Sequence, residues 1–450
     1  MRFVIIGANA AGMSAASRGK RNDPDMEVVV LEQTNDVSYS ACGMPYNVAD
    51  PNRSMDDLVV RRAEVFRDKQ NIDLRLGHSA EAIDRENKKV VGTTSQGEGF
   101  EIAYDKLAIA TGGRPIIVDV SGKDLPGVMA LKTLGDGRRL KDYMARQGVR
   151  HALILGMGYI GLEMAEALHA IGVRTEMAKI RPRLLPWMPE PMSDLIKAEL
   201  EDKGVTLHFG SGVAKIEQQS SGHGLKAHIG NGNELSVDMV LMGVGLRPNS
   251  EIAADAGLEL GPGAAIAVDK TLRTSDPDIY AAGDCADTFN VITGRRVWVP
   301  LALRANRAGW AVADNVTGIK VELPGIVGTA VFKVMDLEVA RAGLTLEEAR
   351  DAGFDPVENS VKTRSRAHSH PGNQTIHVNM IGDRKTGRLL GTQMVGKEGV
   401  AHRIDAVAVA LHAGMSVADF VQCDMAYAPP FSPVWDPLLT AGNQLLRRMS

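Results

Sequence analysis

The feature that most limits what this chain can fold into is a pair of glycine-rich turns, one opening at Gly7 and the other at Gly156. Phe3-Val4-Ile5-Ile6 runs directly into Gly7-Ala8-Asn9-Ala10-Ala11-Gly12, and Met13 to Arg18 follows as an Ala- and Ser-rich helix start. Val28–Leu31 then reads as the next strand, ended by Glu32. The same order recurs from His151. Ala152–Leu155 is a strand, Gly156-Met157-Gly158-Tyr159-Ile160-Gly161 a turn, Leu162–Ile171 a helix and Val173–Ala178 a strand. An apolar run, a tight turn and a helix returning to a parallel strand make a βαβ unit.

Two such units predict an α/β chain with two Rossmann-like nucleotide-binding domains. Gly156, Gly158 and Gly161 complete the G-x-G-x-x-G pattern. The first glycine permits the tight turn, the second lets backbone approach a pyrophosphate, and the third lets helix and strand pack closely, with the anion at the helix start. The first turn keeps Gly7 and Gly12 but carries Asn9 in the middle, a residue that tolerates positive φ better than most. Glu32 falls about 20 residues beyond Gly12, where a carboxylate accepts both ribose hydroxyls. Ile279-Tyr280-Ala281-Ala282-Gly283-Asp284 adds a third apolar run, ending in a carboxylate suited to a polyol or ribose hydroxyl. After the second β-strand of the second unit stand Lys179, Arg181 and Arg183. Three cations there favour a 2′-phosphate over a free hydroxyl, and so NADPH.

At 450 residues the chain has room for two or three domains. With 44% hydrophobic and 24% charged residues it can bury a sizeable core. Lys and Arg number 51 against 55 Asp and Glu, which argues against nucleic acid as a partner. No apolar stretch is long enough to span a membrane. The three cysteines, Cys42, Cys285 and Cys423, are sparse and odd in number, as expected of a reducing cytoplasm without a disulfide framework. From about Gly325 short strands (Ala330–Val334, Thr375–Ile381, Leu389–Val395) mix with helical stretches at Thr345–Ala352 and Ala401–Ala413, which predicts a separate α+β domain. The expected division is 1–112 with 246–322, 113–245, and 323–450. Tyr427–Pro433 holds too much proline for a regular helix and is expected to be extended.

Cys42 lies in Ser38-Tyr39-Ser40-Ala41-Cys42-Gly43-Met44-Pro45-Tyr46, among small neighbours that give access. No second cysteine lies four or five positions away, so any disulfide it makes is to an external thiol or sulfane sulfur, or is replaced by a sulfenic acid. Cys285 and Cys423 read as packing residues. His78, His208, His402 and His412 have no metal-ligand spacing.

Taken together, Gly7–Gly12, Ser38–Tyr46, Ala110-Thr111-Gly112, Gly156–Gly161, Gly243–Asn249, Ala281–Asp284 and Tyr427–Pro437 resemble the flavin-dependent pyridine nucleotide–disulfide oxidoreductases along essentially the whole chain. Within them the chain is similar to the single-cysteine branch of coenzyme A disulfide reductases and NAD(P)H persulfide or polysulfide reductases. The resemblance implies FAD held by Gly7, Ala11, Gly12, Glu32, Gln33, Thr111, Gly112, Gly283 and Asp284. It implies NAD(P)H held by Gly156, Gly158, Tyr159, Ile160, Gly161, Lys179, Arg181 and Gly245. Cys42 would lie against the flavin, its thiolate stabilised by that proximity and by a helix start. A homodimer would form through the carboxyl-terminal domain, and Tyr427 would reach the other subunit's site as a proton donor. Coenzyme A, as substrate or mixed disulfide, would meet Ser14, Arg18, Arg21, Ser38, Lys69, Asn306 and Arg307.

Two departures stand out. Relatives that reduce coenzyme A disulfide often carry Tyr-Tyr-Pro-Gly where this chain reads Ser369-His370-Pro371-Gly372, so His370 would replace a tyrosine as proton donor. Oxidase and peroxidase relatives carry a His at the position of Ala10. A fused rhodanese domain is not expected within 450 residues. Three readings stay open. The first is a reductase of coenzyme A disulfide, coenzyme A persulfide or polysulfide, the second an NAD(P)H oxidase or peroxidase using a Cys42 sulfenic acid, and the third a non-catalytic flavin or coenzyme A sensor.

Overall fold

The computed structural model describes residues 1–219, 224–230 and 232–450. Each glycine-rich turn sits at the carboxyl edge of a five-stranded parallel sheet. The first runs in the order Ile279–Ala281, Lys106–Ile109, Arg2–Ile6, Glu27–Glu32, Asp73–Leu76. The second runs Thr206–Phe209, Arg174–Lys179, His151–Leu155, Met239–Met242, Val128–Ala130. Central strands of such sheets are covered on both faces, which is why Phe3–Ile5 and Ala152–Ile154 are fully buried apolar runs without alternation. Each sheet carries a three-stranded antiparallel extension, at 78–103 and 213–237. The chain passes between the two sheets at Gly113–Pro115 and Leu246–Pro248, and these crossings pair antiparallel with each other.

Beyond residue 325 the chain forms a five-stranded antiparallel sheet, Ala330–Val334, Leu337–Gly343, Leu389–Gly396, Thr375–Asp383, Pro356–Arg364. The helices Arg403–His412 and Pro437–Met449 close its core. The helical stretch expected at 345–352 is Leu346–Asp351, opened by a Thr345–Glu348 capping box. Tyr427–Pro433 is not extended. It turns on the Ala428 carbonyl, which accepts from the N–H groups of both Phe431 and Ser432. No helix of the described residues is long and apolar enough to cross a membrane.

The helix after the first turn, Ala10–Asn22, packs along Ala302–Val316 at very close range. A Cβ added at Gly309 would meet the Ala11 carbonyl oxygen at 2.2 Å.

Candidate functional site

Both turns, Cys42 and the loop after Lys179 open into one cavity of about 2240 Å³. Its walls bear directly on whether dinucleotides fit. A Cβ on Gly12 would lie 1.8 Å from the Gly7 carbonyl oxygen, and one on Gly161 2.4 Å from that of Gly156, so these glycines are required by protein packing. Gly158 differs, because a Cβ there meets no protein atom within 4 Å. The space it keeps clear belongs to the cavity. The helices Ala10–Asn22 and Tyr159–Ala170 both begin without a side-chain cap and without an acid in the first turn. Leu134–Gln147, by contrast, opens on a capping box of Thr133 and Asp136. Two uncapped amino termini facing a cavity are ready-made seats for pyrophosphates. The residues fit FAD and NAD(P)H.

The register gives the two units the same frame. Ile6 pairs with Leu31 and Leu155 with Ala178, so Glu32 and Lys179 occupy one position in the two copies. The Glu32 carboxylate accepts from the Ala8 N–H at 2.9 Å and from the backbone and hydroxyl of Thr34, which fixes it at the turn. Lys179 lines the cavity and donates to the Leu184 carbonyl at 2.5 Å; Arg183 donates to the Met188 carbonyl, and Arg181 is exposed. Two of the three cations therefore brace their own loop. That loop ends in Trp187, whose ring meets Tyr159 and Phe332 edge-on at 6.5 Å and lies 5.2 Å from the Arg341 guanidinium. Glu176, earlier on the same strand, is buried and accepts from His151 and His208.

Asn9 corrects one expectation. Its φ is −108°, so positive φ is not what it supplies. Its side-chain oxygen instead accepts from the Tyr39 N–H at 3.2 Å, tying the first turn to the Cys42 loop. Ser38 on that loop is the residue held at positive φ, 47°. Gln33, Thr111, Gly112, Ile160, Gly245, Gly283 and Asp284 line the cavity. Thr111 and Asn249 exchange two hydrogen bonds that pin the Ala110–Gly112 segment.

Cys42 is open to this cavity, in a short helical turn before Met44–Val48. The protein groups around it oppose ionisation. The surrounding walls desolvate the thiol and push its pKa up, and the Glu163 carboxylate pushes it further. Lys132 pulls the other way, but its ammonium is paired with Asp284 at 2.8 Å. The helix after Cys42 has only five residues. Glu163 accepts a hydrogen bond from the Tyr46 hydroxyl at 3.0 Å, and burial lifts its own pKa above the usual carboxylate range. Sequence reading missed Lys132 and Glu163. Glu163 follows the last glycine of the second turn by two residues, the only local sign of its position. Glu163→Gln removes one upward push on the thiol, so the pH profile of Cys42 alkylation by iodoacetamide is expected to move to lower pH. An unmoved profile would count against Glu163 as a determinant of thiol charge.

The residues expected to meet coenzyme A are only partly gathered. Ser14 donates to Asn306 at 2.8 Å, and Arg307 lines the cavity. Arg18 is committed to a two-pronged ion pair with Asp314, at 2.7 and 3.2 Å, so its charge is not free for a phosphate. Arg21 and Lys69 are exposed and lie outside the cavity lining. Tyr427 and His370 do not line the cavity either. Their loops meet each other, through the Ala367 N–H on the Pro429 carbonyl. Cys285 is fully buried against the Ile109 and Ala282 carbonyls.

Comparison with known proteins agrees with this geometry. The model of the pyridine nucleotide-disulphide oxidoreductase family matches residues 1–309, and that of its dimerisation domain matches 329–437. The NAD(P)H coenzyme A polysulfide/persulfide reductase of Pyrococcus horikoshii is 38% identical over 99% of this chain and 98% of its own. An NADH oxidase of Methanocaldococcus jannaschii is 34% identical over the full length of both. The solved structure of an NAD-dependent persulfide reductase from A. fulgidus superimposes with a TM-score of 0.95 at 36% identity, covering 100% of this chain and 83% of that one.

Proposed function

The chain belongs to the pyridine nucleotide-disulphide oxidoreductases, enzymes that use FAD and NAD(P)H, and from that premise we propose that it reduces coenzyme A disulfide, coenzyme A persulfide or polysulfide through Cys42 alone. The observation that carries this reading is that Cys42 is the one cysteine thiol, among the described residues, lining the cavity that both uncapped helix starts face. FAD is held by the first turn, Glu32, Thr111–Gly112 and Asp284, and NAD(P)H by the second turn and Lys179. The division is 1–112 with 246–322 for FAD, 113–245 for NAD(P)H, and 323–450 for dimerisation.

The Cys42 thiolate attacks one sulfur of an external RS–SR′. The S–S bond breaks as Cys42–S–S–R forms, and R′S⁻ leaves and takes up a proton. A bound flavin would supply two electrons drawn from NAD(P)H; the Cys42–S–S–R bond takes them up with one proton, releasing RSH and restoring the Cys42 thiolate. In a homodimer, Tyr427 of the partner subunit supplies the leaving thiolate's proton, with His370, on the loop bonded to the Tyr427 segment, in place of the family tyrosine.

The oxidase reading is supported by the names of several relatives, the M. jannaschii protein among them. Mass analysis of Cys42 in protein as purified separates the two. An adduct of one coenzyme A supports the reductase, and oxygen adducts in its place overturn it.

NADPH is the proposed donor, because an ammonium stands where the FAD unit has its ribose carboxylate. Lys179→Glu is expected to lower the NADPH-to-NADH ratio of kcat/KM tenfold or more, as for loss of one charge-assisted bond of about 1.5–3 kcal/mol. A wild-type enzyme that prefers NADH tenfold sinks this assignment.

A further inference from the structure

The loop that carries Cys42 is gripped by a helix that flanks the second parallel sheet. That helix, Leu134–Gln147, lies in the chain between the strands Val128–Ala130 and His151–Leu155. Its Lys141 ammonium donates to the Asn47 carbonyl at 3.1 Å, to Asn47 Oδ1 at 3.0 Å, to the Asp50 carbonyl at 2.7 Å and to the Arg53 carbonyl. All four acceptors are neutral oxygens. An ammonium has three N–H donors and no acceptor, so this cage uses the group in full. Asn47 is fully buried and lies in the last turn of Met44–Val48, the helix that runs on from the Cys42 turn. Its Nδ2 donates to the Ser54 carbonyl at 2.7 Å, so the side-chain amide is engaged at both ends. Lys141 does not line the cavity, so any effect it has on the chemistry passes through the loop.

A lysine on the last carbonyls of its own helix is an ordinary cap. Here the cation comes from 94 residues away, and it ties the helix end to a different sheet. Gly137 and Arg138 of the same helix add to the grip. A Cβ on Gly137 would meet the Met55 side chain at 2.8 Å. Arg138 bridges Asp36 and Asp56, which bracket Cys42 in the chain. Those ion pairs are partly exposed, and such pairs contribute little. The Lys141 cage is different, because without it the oxygen of a fully buried amide is left unpaired.

We propose that Lys141 is a positioning residue for Cys42, fixing the end of the Met44–Val48 helix and with it the direction in which the thiol meets the cavity. The proposal rests on Cys42 being the reacting sulfur, and its test reads the thiol by itself as well as in turnover.

The test compares FAD-loaded wild type with Lys141→Ala and Lys141→Met. Polysulfide reduction is expected to fall in both variants on the order of tenfold to a hundredfold, the scale of misplacing a reacting group by about 1 Å. NAD(P)H-driven flavin reduction should be unchanged. Alkylation by iodoacetamide, followed by mass on the Cys42 peptide, should move to lower pH in both, because a thiol released from the walls that desolvate it ionises more easily. Alanine keeps Cβ, so the atoms removed are those of propylammonium. Propylammonium should therefore return Lys141→Ala to the wild-type profile and rate, and tetramethylammonium at the same ionic strength should not. Neither should act on Lys141→Met, whose stem fills the space. An unmoved alkylation profile, unchanged turnover, equal rescue by tetramethylammonium, or loss of FAD from both variants overturns the proposal. Full turnover in Cys42→Ser would instead refute the thiol mechanism, and alkylation judges Lys141 in either case.

Discussion

Cys42→Ser is expected to lower disulfide or persulfide reduction by on the order of 10³-fold or more, the scale of losing an essential nucleophile. FAD content and the rate at which NAD(P)H bleaches the flavin should stay at wild-type values. The two halves separate because Cys42 contributes nothing to either turn: it is an exposed residue of the loop, not a packing residue. Serine keeps the side chain's size but loses the polarisable sulfur that forms the mixed disulfide. Stopped-flow flavin reduction beside steady-state turnover makes the distinction. A variant that retains full turnover ends the single-sulfur mechanism, whereas one that loses flavin shows that the substitution disturbed the loop.

Gly12→Ala should produce an apoprotein. The added methyl would sit 1.8 Å from the Gly7 carbonyl oxygen and 3.3 Å from the Ile5 side chain. Neither atom can yield, because Gly7 closes the turn and Ile5 is fully buried in the central strand. Overpacking of this kind costs about 1–3 kcal/mol and sometimes more, and here it falls on the turn proposed to hold the FAD pyrophosphate. FAD affinity is expected to drop a hundredfold or more, roughly 3 kcal/mol, read by titrating FAD into the deflavinated protein. Gly158→Ala makes the informative contrast. With no protein atom within 4 Å of its Cβ, it should leave folding and FAD binding untouched and weaken only NAD(P)H. Equal FAD affinity in Gly12→Ala and wild type would remove the first turn from the flavin site.

Much of this arrangement was legible before any coordinates, because βαβ units announce themselves locally. The turn at Gly156–Gly161 and the run at Ala152–Leu155 carry their own reasons, and so does Glu32 at the end of its strand. What was hidden depends on contacts between distant segments. Asn9 looked like a conformational substitute for glycine, but its partner is the Tyr39 backbone. Arg18 looked like a phosphate ligand on a helix end; Asp314 consumes its charge. Glu163 and Lys132 carried no motif at all, since their importance arises from facing one thiol across two domains. The turn at 427–433 was misjudged because proline excludes helix without specifying extension.

The tight crossing of Ala10–Asn22 over Ala302–Val316 has a consequence for biosynthesis. The first parallel sheet is completed by Ile279–Ala281 and its first helix packs on a segment near residue 309, so the amino-terminal third emerges from the ribosome long before its own lining exists. The nucleotide module between the crossings at 113–115 and 246–248 is contiguous and can mature first. Nascent chains stalled before Gly309 should therefore stay colourless however much flavin surrounds them.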